Sequence, residues 1–200
     1  MKVLRNILPA VLLVFATQAG AQKITGGIVG GVSTGSVKIS GIPNSFTNVV
    51  SGGNITGLEG GFYMKLNAGP FYGRPELLYN HRQGTVDLQQ GTNEAAGSAS
   101  FEMSRLEIPV MFGLDLLGPV AIEIGPVYNK VLSVTENYNN EKISIKRGGV
   151  GYRLGGVVSL GRVGIGIHYQ GLKINSSDSS ESNFESPTEM IFSVSLRLGE

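Results

Sequence analysis

From Ser104 to Tyr128 the chain reads SRLEIPVMFGLDLLGPVAIEIGPVY, and the stretch separates onto two alternating tracks. Leu106, Ile108, Val110, Phe112 and Leu114 hold one track, and Arg105, Glu107, Pro109, Met111, Gly113 and Asp115 hold the other. Successive side chains of a strand point to opposite faces, so a period of two predicts a strand with one apolar and one polar face. Gly118-Pro119 marks a turn. Beyond it Val120, Ile122, Ile124, Pro126 and Tyr128 alternate with Ala121, Glu123, Gly125, Val127 and Asn129, completing a hairpin.

The pattern recurs. Leu58, Gly60, Phe62, Met64 and Leu66 alternate with Glu59, Gly61, Tyr63, Lys65 and Asn67 before a turn at Ala68-Gly69-Pro70. Phe71, Gly73, Pro75, Leu77 and Tyr79 follow, against Tyr72, Arg74, Glu76, Leu78 and Asn80. Leu154, Gly156, Val158 and Leu160 oppose Arg153, Gly155, Val157 and Ser159, and Gly161-Arg162 leads into Val163, Ile165, Ile167 and Tyr169 with His168 and Gln170 opposite. The last strand sets Met190, Phe192, Val194, Leu196 and Leu198 against Ser193, Ser195 and Arg197. Between the hairpins lie four longer polar segments, about 39–56, 84–100, 135–149 and 175–187. With 23–38 assigned as the first strand by count and position, three tight turns and four long loops connect eight strands. No helix of ten or more residues is supported after the N-terminal segment.

That N-terminal segment has Lys2 and Arg5, an apolar run from Ile7 to Ala16, and Ala19-Gly20-Ala21 before Gln22. These are the three regions of a secretory signal peptide, expected over residues 1–21 and cut after Ala21, which leaves 22–200 as one domain. Without Lys2 and Arg5, 14 of the 16 basic residues stand against 15 acidic ones, a formal charge of about −1. No basic field for nucleic acid is present. Cysteine is absent, which excludes disulfides, thiolate metal sites and a Cys-anchored lipoprotein. Glycine, 30 of 200 residues, is dispersed between apolar residues, which suits crowded strands rather than a linker.

Eight antiparallel strands joined up and down, with tight turns at one end and long loops at the other, form the plan of a small transmembrane β-barrel. Each apolar track covers about nine to eleven residues, the length at which a tilted strand crosses a bilayer. Open sheet edges are not tolerated in lipid, which forces closure. The expectation is an all-β, eight-stranded barrel in the bacterial outer membrane, with aliphatics facing lipid and charges facing the lumen. Phe71, Tyr72, Tyr79, Tyr128, Tyr152 and Tyr169 are candidates for aromatic girdles. A soluble periplasmic lipocalin-like barrel that binds a small ligand is the alternative; it would bury the aliphatics and show the charges to water.

GGFYMKLNAGPFYGRPELLYNHRQGTV, FEMSRLEIPVMFGL and AIEIGPVYNKVLS, in this order, resemble the porin-family outer membrane protein β-barrel domain, a small-barrel family common in Bacteroidetes. Pro75 to Tyr79 matches its "PELLY" strand, Leu106 to Pro109 its "LEIP" strand, and Glu123 to Pro126 its "xEAGP"-like strand. The resemblance covers roughly residues 57–135 and extends to the flanks by strand plan. Many such barrels end on an aromatic residue, where this chain has Leu198-Gly199-Glu200. The resemblance implies fold and location more firmly than any activity.

Glu59, Arg74, Glu76, Arg105, Glu107, Glu123, Arg153 and His168 form the expected lumen charge network, with Lys65 and Arg197 on the same tracks. Opposite charges at similar depth are expected to pair. An eight-stranded barrel is only wide enough for side chains to fill, so these residues replace an aliphatic core. Two roles stay open: a polar plug that fixes the barrel, or a gated narrow path whose pairs rearrange to admit ions. A serine at the lumen position Gly113 is expected to disturb the barrel less than an arginine at Val110 or Ile124.

A lipid A-modifying outer-membrane enzyme is a third reading. The deacylase type resembles a His-x-Ser arrangement beside a carboxylate; His168-Tyr169-Gln170 lacks the serine, and His81 at the rim has no evident serine partner in sequence. No His-Glu-x-x-His or Gly-x-x-x-x-Gly-Lys motif occurs, and Leu154 stands where a dinucleotide fingerprint beginning at Gly149 needs glycine. The expectation is therefore no enzyme, no cofactor and no metal. Asp178, Glu181 and Glu185 in NSSDSSESNFESP fit a solvated loop, with weak divalent-cation or partner binding as the sharper reading. The expected partners are outer-membrane lipid, lipopolysaccharide and the barrel-assembly machinery, with no nucleic acid; the residues name no partner for the surface loops.

Overall fold

A computed structural model of the chain describes residues 24–40, 48–49, 53–89, 95–136, 148–174 and 183–199. The expected signal peptide, residues 1–21, lies outside the described residues, as does most of the acidic loop. The eight long strands are β1 (Ile24–Ser40), β2 (Gly53–Ala68), β3 (Phe71–Gln89), β4 (Ala95–Asp115), β5 (Val120–Glu136), β6 (Gly148–Leu160), β7 (Val163–Ile174) and β8 (Asn183–Leu198). Each pairs antiparallel with its neighbours in sequence, and β1 pairs with β8, so the sheet closes on itself. Asn48–Val49 adds a two-residue strand against Leu88 and Gln89.

The connections at one end are residues 69–70, 116–119 and 161–162; those at the other are 41–52, 90–94, 137–147 and 175–182. Gly69, Gly118 and Gly161 carry φ near +60° in the three short ones. Pro70 locks its own φ negative, so Gly69-Pro70 is a II′ turn, whose twist matches that of a hairpin.

The poorly alternating segment expected at 23–38 forms a full strand over Ile24–Ser40, held by pairing with both β2 and β8. The strands also run further than the apolar tracks suggest, with 12 to 21 residues each. β3 and β4 continue through most of the segment expected as a loop at 84–100, pairing from Gly84↔Phe101 to Gln89↔Ala95. Hydropathy marks only where the wall is apolar on its outside; the ladder's backbone hydrogen bonds continue past that limit.

The two tracks take opposite faces. Ile124 is 61% exposed on the outer surface, while the adjoining Glu123 is 4% exposed. The outer apolar tracks run Leu58–Leu66, Phe71–Tyr79, Leu106–Leu114, Val120–Tyr128 and Met190–Leu198, nine residues each. At about 3.3 Å per residue and a tilt near 40°, such a track is roughly 20–25 Å tall. Tyr79, Tyr128 and Tyr152 lie exposed toward its loop end, with Tyr169 beside Tyr152 at a centroid separation of 6.3 Å. Tyr72 is not part of a girdle. It shares its parity with Arg74 and Glu76 and points inward, 2% exposed.

Candidate functional site: the charged lumen

Among the described residues, five glutamates and four arginines are buried inside the barrel: Glu59, Glu76, Glu107, Glu123 and Glu189, with Arg74, Arg82, Arg105 and Arg153. Their positions follow from strand parity. An inward residue brings its two-residue neighbours inward as well, so one strand delivers Arg74, Glu76, Leu78, Asn80 and Arg82 to the lumen at successive depths.

Nearest the tight turns, Arg74 Nε lies 2.7 Å from Glu76 Oε1, and Arg74 Nη2 lies 2.9 Å from Glu123 Oε2. The Tyr72 hydroxyl donates to Glu123 Oε1 at 2.6 Å. His168 Nε2 is 3.1 Å from Glu123 Oε2; since an ionised carboxylate only accepts, this nitrogen carries the proton. Lys65 Nζ is 3.6 Å from Asp115 and 3.6 Å from the centre of the Tyr72 ring.

At mid-depth the Arg153 guanidinium is surrounded by Glu107 at 3.1 Å, Glu59 at 3.2 Å and Glu76 at 3.7 Å. Two neutral amides extend this group. Gln170 accepts from Arg153 Nε at 2.6 Å and donates to Glu107 at 3.2 Å. Asn80 donates to Glu59 at 3.1 Å and accepts from Arg82 Nε at 2.7 Å.

Toward the loops, Arg105 Nε meets Glu107 at 2.5 Å, and both Arg105 and Arg82 bind Glu189. Leu78, Met111, Val127, Leu172 and Ile191 fill space between the charged tiers, each fully buried. Inward glycines supply the remaining room. A Cβ on Gly113 would overlap the Tyr72 ring, and one on Gly27 or Gly155 would crowd Tyr63 or His168. A side chain at Gly113 would therefore have to displace the Tyr72 ring: the position is small because a ring from the next strand occupies it.

All eight residues read from the sequence as lumen charges point inward and pair with one another or with Glu189, Arg82, Asn80 and Gln170. Arg82 and Glu189 are not in that set, because they lie on the inward parity beyond the ends of the apolar tracks at Tyr79 and Met190. Continuing the inward parity from Asn80, and back from Ile191, reaches both.

At the loop end of the outer face, His81 Nδ1 lies 3.1 Å from Ser104 Oγ, which also accepts from the Tyr79 hydroxyl at 3.1 Å. The rim histidine thus has a serine neighbour that sequence spacing did not show, since it comes from the adjacent strand. Gln83 Nε2 is 3.3 Å from its other ring nitrogen. No group of three or more His, Asp or Glu suited to a metal occurs among the described residues.

No protein-family model matches the chain, and no curated protein matches it. Among solved structures it is similar to Neisserial surface protein A, a small eight-stranded outer-membrane barrel, with a TM-score of 0.54 and 10% identity over 88% of this chain and 99% of that one. Ail, the attachment invasion locus protein of Yersinia pestis, aligns with a TM-score of 0.46 and 10% identity over 87% of this chain and 98% of that one. At such identity the first likeness concerns the fold: a closed, eight-stranded antiparallel barrel of the outer-membrane type.

Proposed function

We propose that this protein is a non-enzymatic barrel of the bacterial outer membrane, with a lumen closed by its own charged side chains and a structural or surface-interaction role carried by its long loops. The observation that carries this reading is the inverted facing of the wall. Bulky apolar side chains such as Phe62, Leu58 and Ile124 stand more than 60% exposed outside, while Arg82, Arg105 and Glu107 are fully buried inside. In water such a continuous apolar surface is an aggregation liability; in a bilayer it is the solvated face. A lipocalin-like barrel needs the opposite arrangement.

A closed lumen is supported by which strands the ion pairs join. β4 and β8 lie four places apart around an eight-strand circle, as do β2 and β6. Arg105–Glu189 and Arg153–Glu59 therefore each cross the full diameter. With tight turns facing the periplasm, the long connections face outward, where lipopolysaccharide and other surface partners are met. The order of the PELLY, LEIP and IEIGP strands supports the porin-family outer membrane barrel type, and export with delivery by the barrel-assembly machinery fits the N-terminal segment.

Two measurements test the reading. In cell fractionation with a heat-modifiability gel, the protein is expected in the outer membrane with a mobility that shifts on boiling; recovery as a soluble periplasmic protein overturns the membrane assignment. In a planar bilayer the wild type is expected to show no steady conductance. Discrete switching whose populations respond to salt favours the gated path, because screening competes with pairing. Large, stable openings contradict a filled lumen.

A further inference from the structure

At the tight-turn end the lumen opens into a cavity of about 320 Å³. Lys65 and Arg74 line it from β2 and β3, Arg162 from the turn between β6 and β7, and Arg197 from β8. The Arg197 backbone N–H donates to the Arg162 carbonyl at 2.8 Å, which holds these two residues together at the mouth. No carboxylate lines the cavity among the described residues. The four cations are not equivalent. Arg74 is neutralised from beneath by Glu76 and Glu123, and Lys65 by Asp115 at the rim. Arg162 and Arg197 form no ion pair among the described residues, and Arg197 Nε is buried there without a hydrogen-bond partner. Arg162 is exposed and Arg197 half-buried at the mouth, whereas each fully buried arginine deeper in the lumen meets a carboxylate. Tyr63 and Ser159 add hydroxyl groups to the lining.

We propose that this mouth is a binding site for a phosphate-like oxyanion, held between Arg162 and Arg197 with Lys65 opposite. Guanidinium forks bind phosphate and carboxylate through paired charge-assisted hydrogen bonds, the interaction these two arginines lack. The cavity holds on the order of ten water volumes, so the oxyanion has room to carry an organic substituent. That the mouth faces the periplasm rests on the outer-membrane reading above; the chemistry of the site does not.

The test uses the full barrel refolded in zwitterionic micelles at constant ionic strength, titrated with inorganic phosphate by calorimetry and by shifts of the tyrosine resonances. Saturable binding is expected, weakened about tenfold or more in Arg197→Gln and in Arg162→Gln and unchanged in Lys130→Gln, on the outer face toward the loops. Heat-modifiability of each variant establishes that it is folded. A lipid source of the same group is distinguished by adding short-chain phosphatidylglycerol or phosphatidylcholine to the micelles. A preference for phosphatidylglycerol that disappears in Arg197→Gln assigns the oxyanion to a lipid, and phosphate saturation without that preference assigns it to a soluble ligand. Absence of both, or equal binding by the arginine variants, overturns the proposal. Because micelles have no periplasmic side, failure here and failure of the outer-membrane reading are separate results.

Discussion

Arg105 Nη2 lies 3.1 Å from both carboxylate oxygens of Glu189, a residue 84 positions further along the chain and on the diametrically opposite strand. This contact is a crossbar: neither strand neighbours the other in the sheet, so only the lumen side chains join them. Glu189 also binds Arg82, so one carboxylate serves two buried arginines.

That sharing makes the glutamates unequal. Glu189→Ala leaves Arg82 and Arg105 with Glu107 alone, at 3.8 and 2.5 Å, and is expected to cost about 3–5 kcal/mol, the penalty of an uncompensated buried charge. Glu76→Ala leaves Arg74 with Glu123 and Arg153 with Glu59 and Glu107, so its cost is expected near the ordinary mutational value of about 1 kcal/mol. Urea unfolding of the refolded barrel, followed by circular dichroism, compares the two; equal losses would mean that the crossbar adds nothing beyond local pairing.

Glu107 touches Arg105 and Arg153 and lies within 3.8 Å of Arg82, so it sits where the mid-depth and loop-side tiers meet. Glu107→Ala is expected to lower stability and admit small ions, giving conductance in a planar bilayer where the wild type is expected to show none. Glu107→Asp keeps the charge while shortening its reach, and its effect is expected to be smaller. A silent Glu107→Ala barrel would show that the remaining side chains close the lumen without this carboxylate.

Gly113 on the inner face and Gly73 on the outer track offer a paired test of packing on the two sides of the wall. The Tyr72 ring fills the space a Gly113 side chain would need, whereas nothing lies within 4 Å of a Cβ on Gly73. Gly113→Ser is expected to displace Tyr72 from Glu123 and cost about 1–3 kcal/mol, as overpacking does. Gly73→Ser is expected to stay within about 0.5 kcal/mol. Thermal unfolding with the Tyr72 resonance as reporter separates them, and a neutral Gly113→Ser would place the ring elsewhere.

Val110 and Ile124 are the central residues of their nine-residue outer tracks. Val110→Arg and Ile124→Arg are each expected to cost about 2–4 kcal/mol in a bilayer, the penalty for arginine near the midplane. The folded fraction in lipid vesicles reads this directly. Full tolerance of both would reverse the assignment of faces.

The wall of this barrel is written locally. Whether Leu106, Ile108 and Val110 share a face depends only on the period of two, and Gly-Pro or Gly-Arg pairs mark the reversals, so strand order, facing and the short turns are legible residue by residue. Even Ile24–Ser40, with its poor alternation, follows from the count, because a closed barrel needs a strand between its first and last hairpin partners. The lumen is different. That Glu107 and Arg153 point inward can be read from parity, but that Arg105 reaches Glu189, that Asn80 and Gln170 link the charged tiers, or that Tyr72 fills the space left by Gly113, depends on the stagger with which the sheet closes. Stagger brings residues of non-adjacent strands to the same depth, and no spacing along the chain encodes it. Contacts across the diameter are decided only when β1 meets β8, because that closure and its stagger set which residues of strands four places apart face each other at one depth.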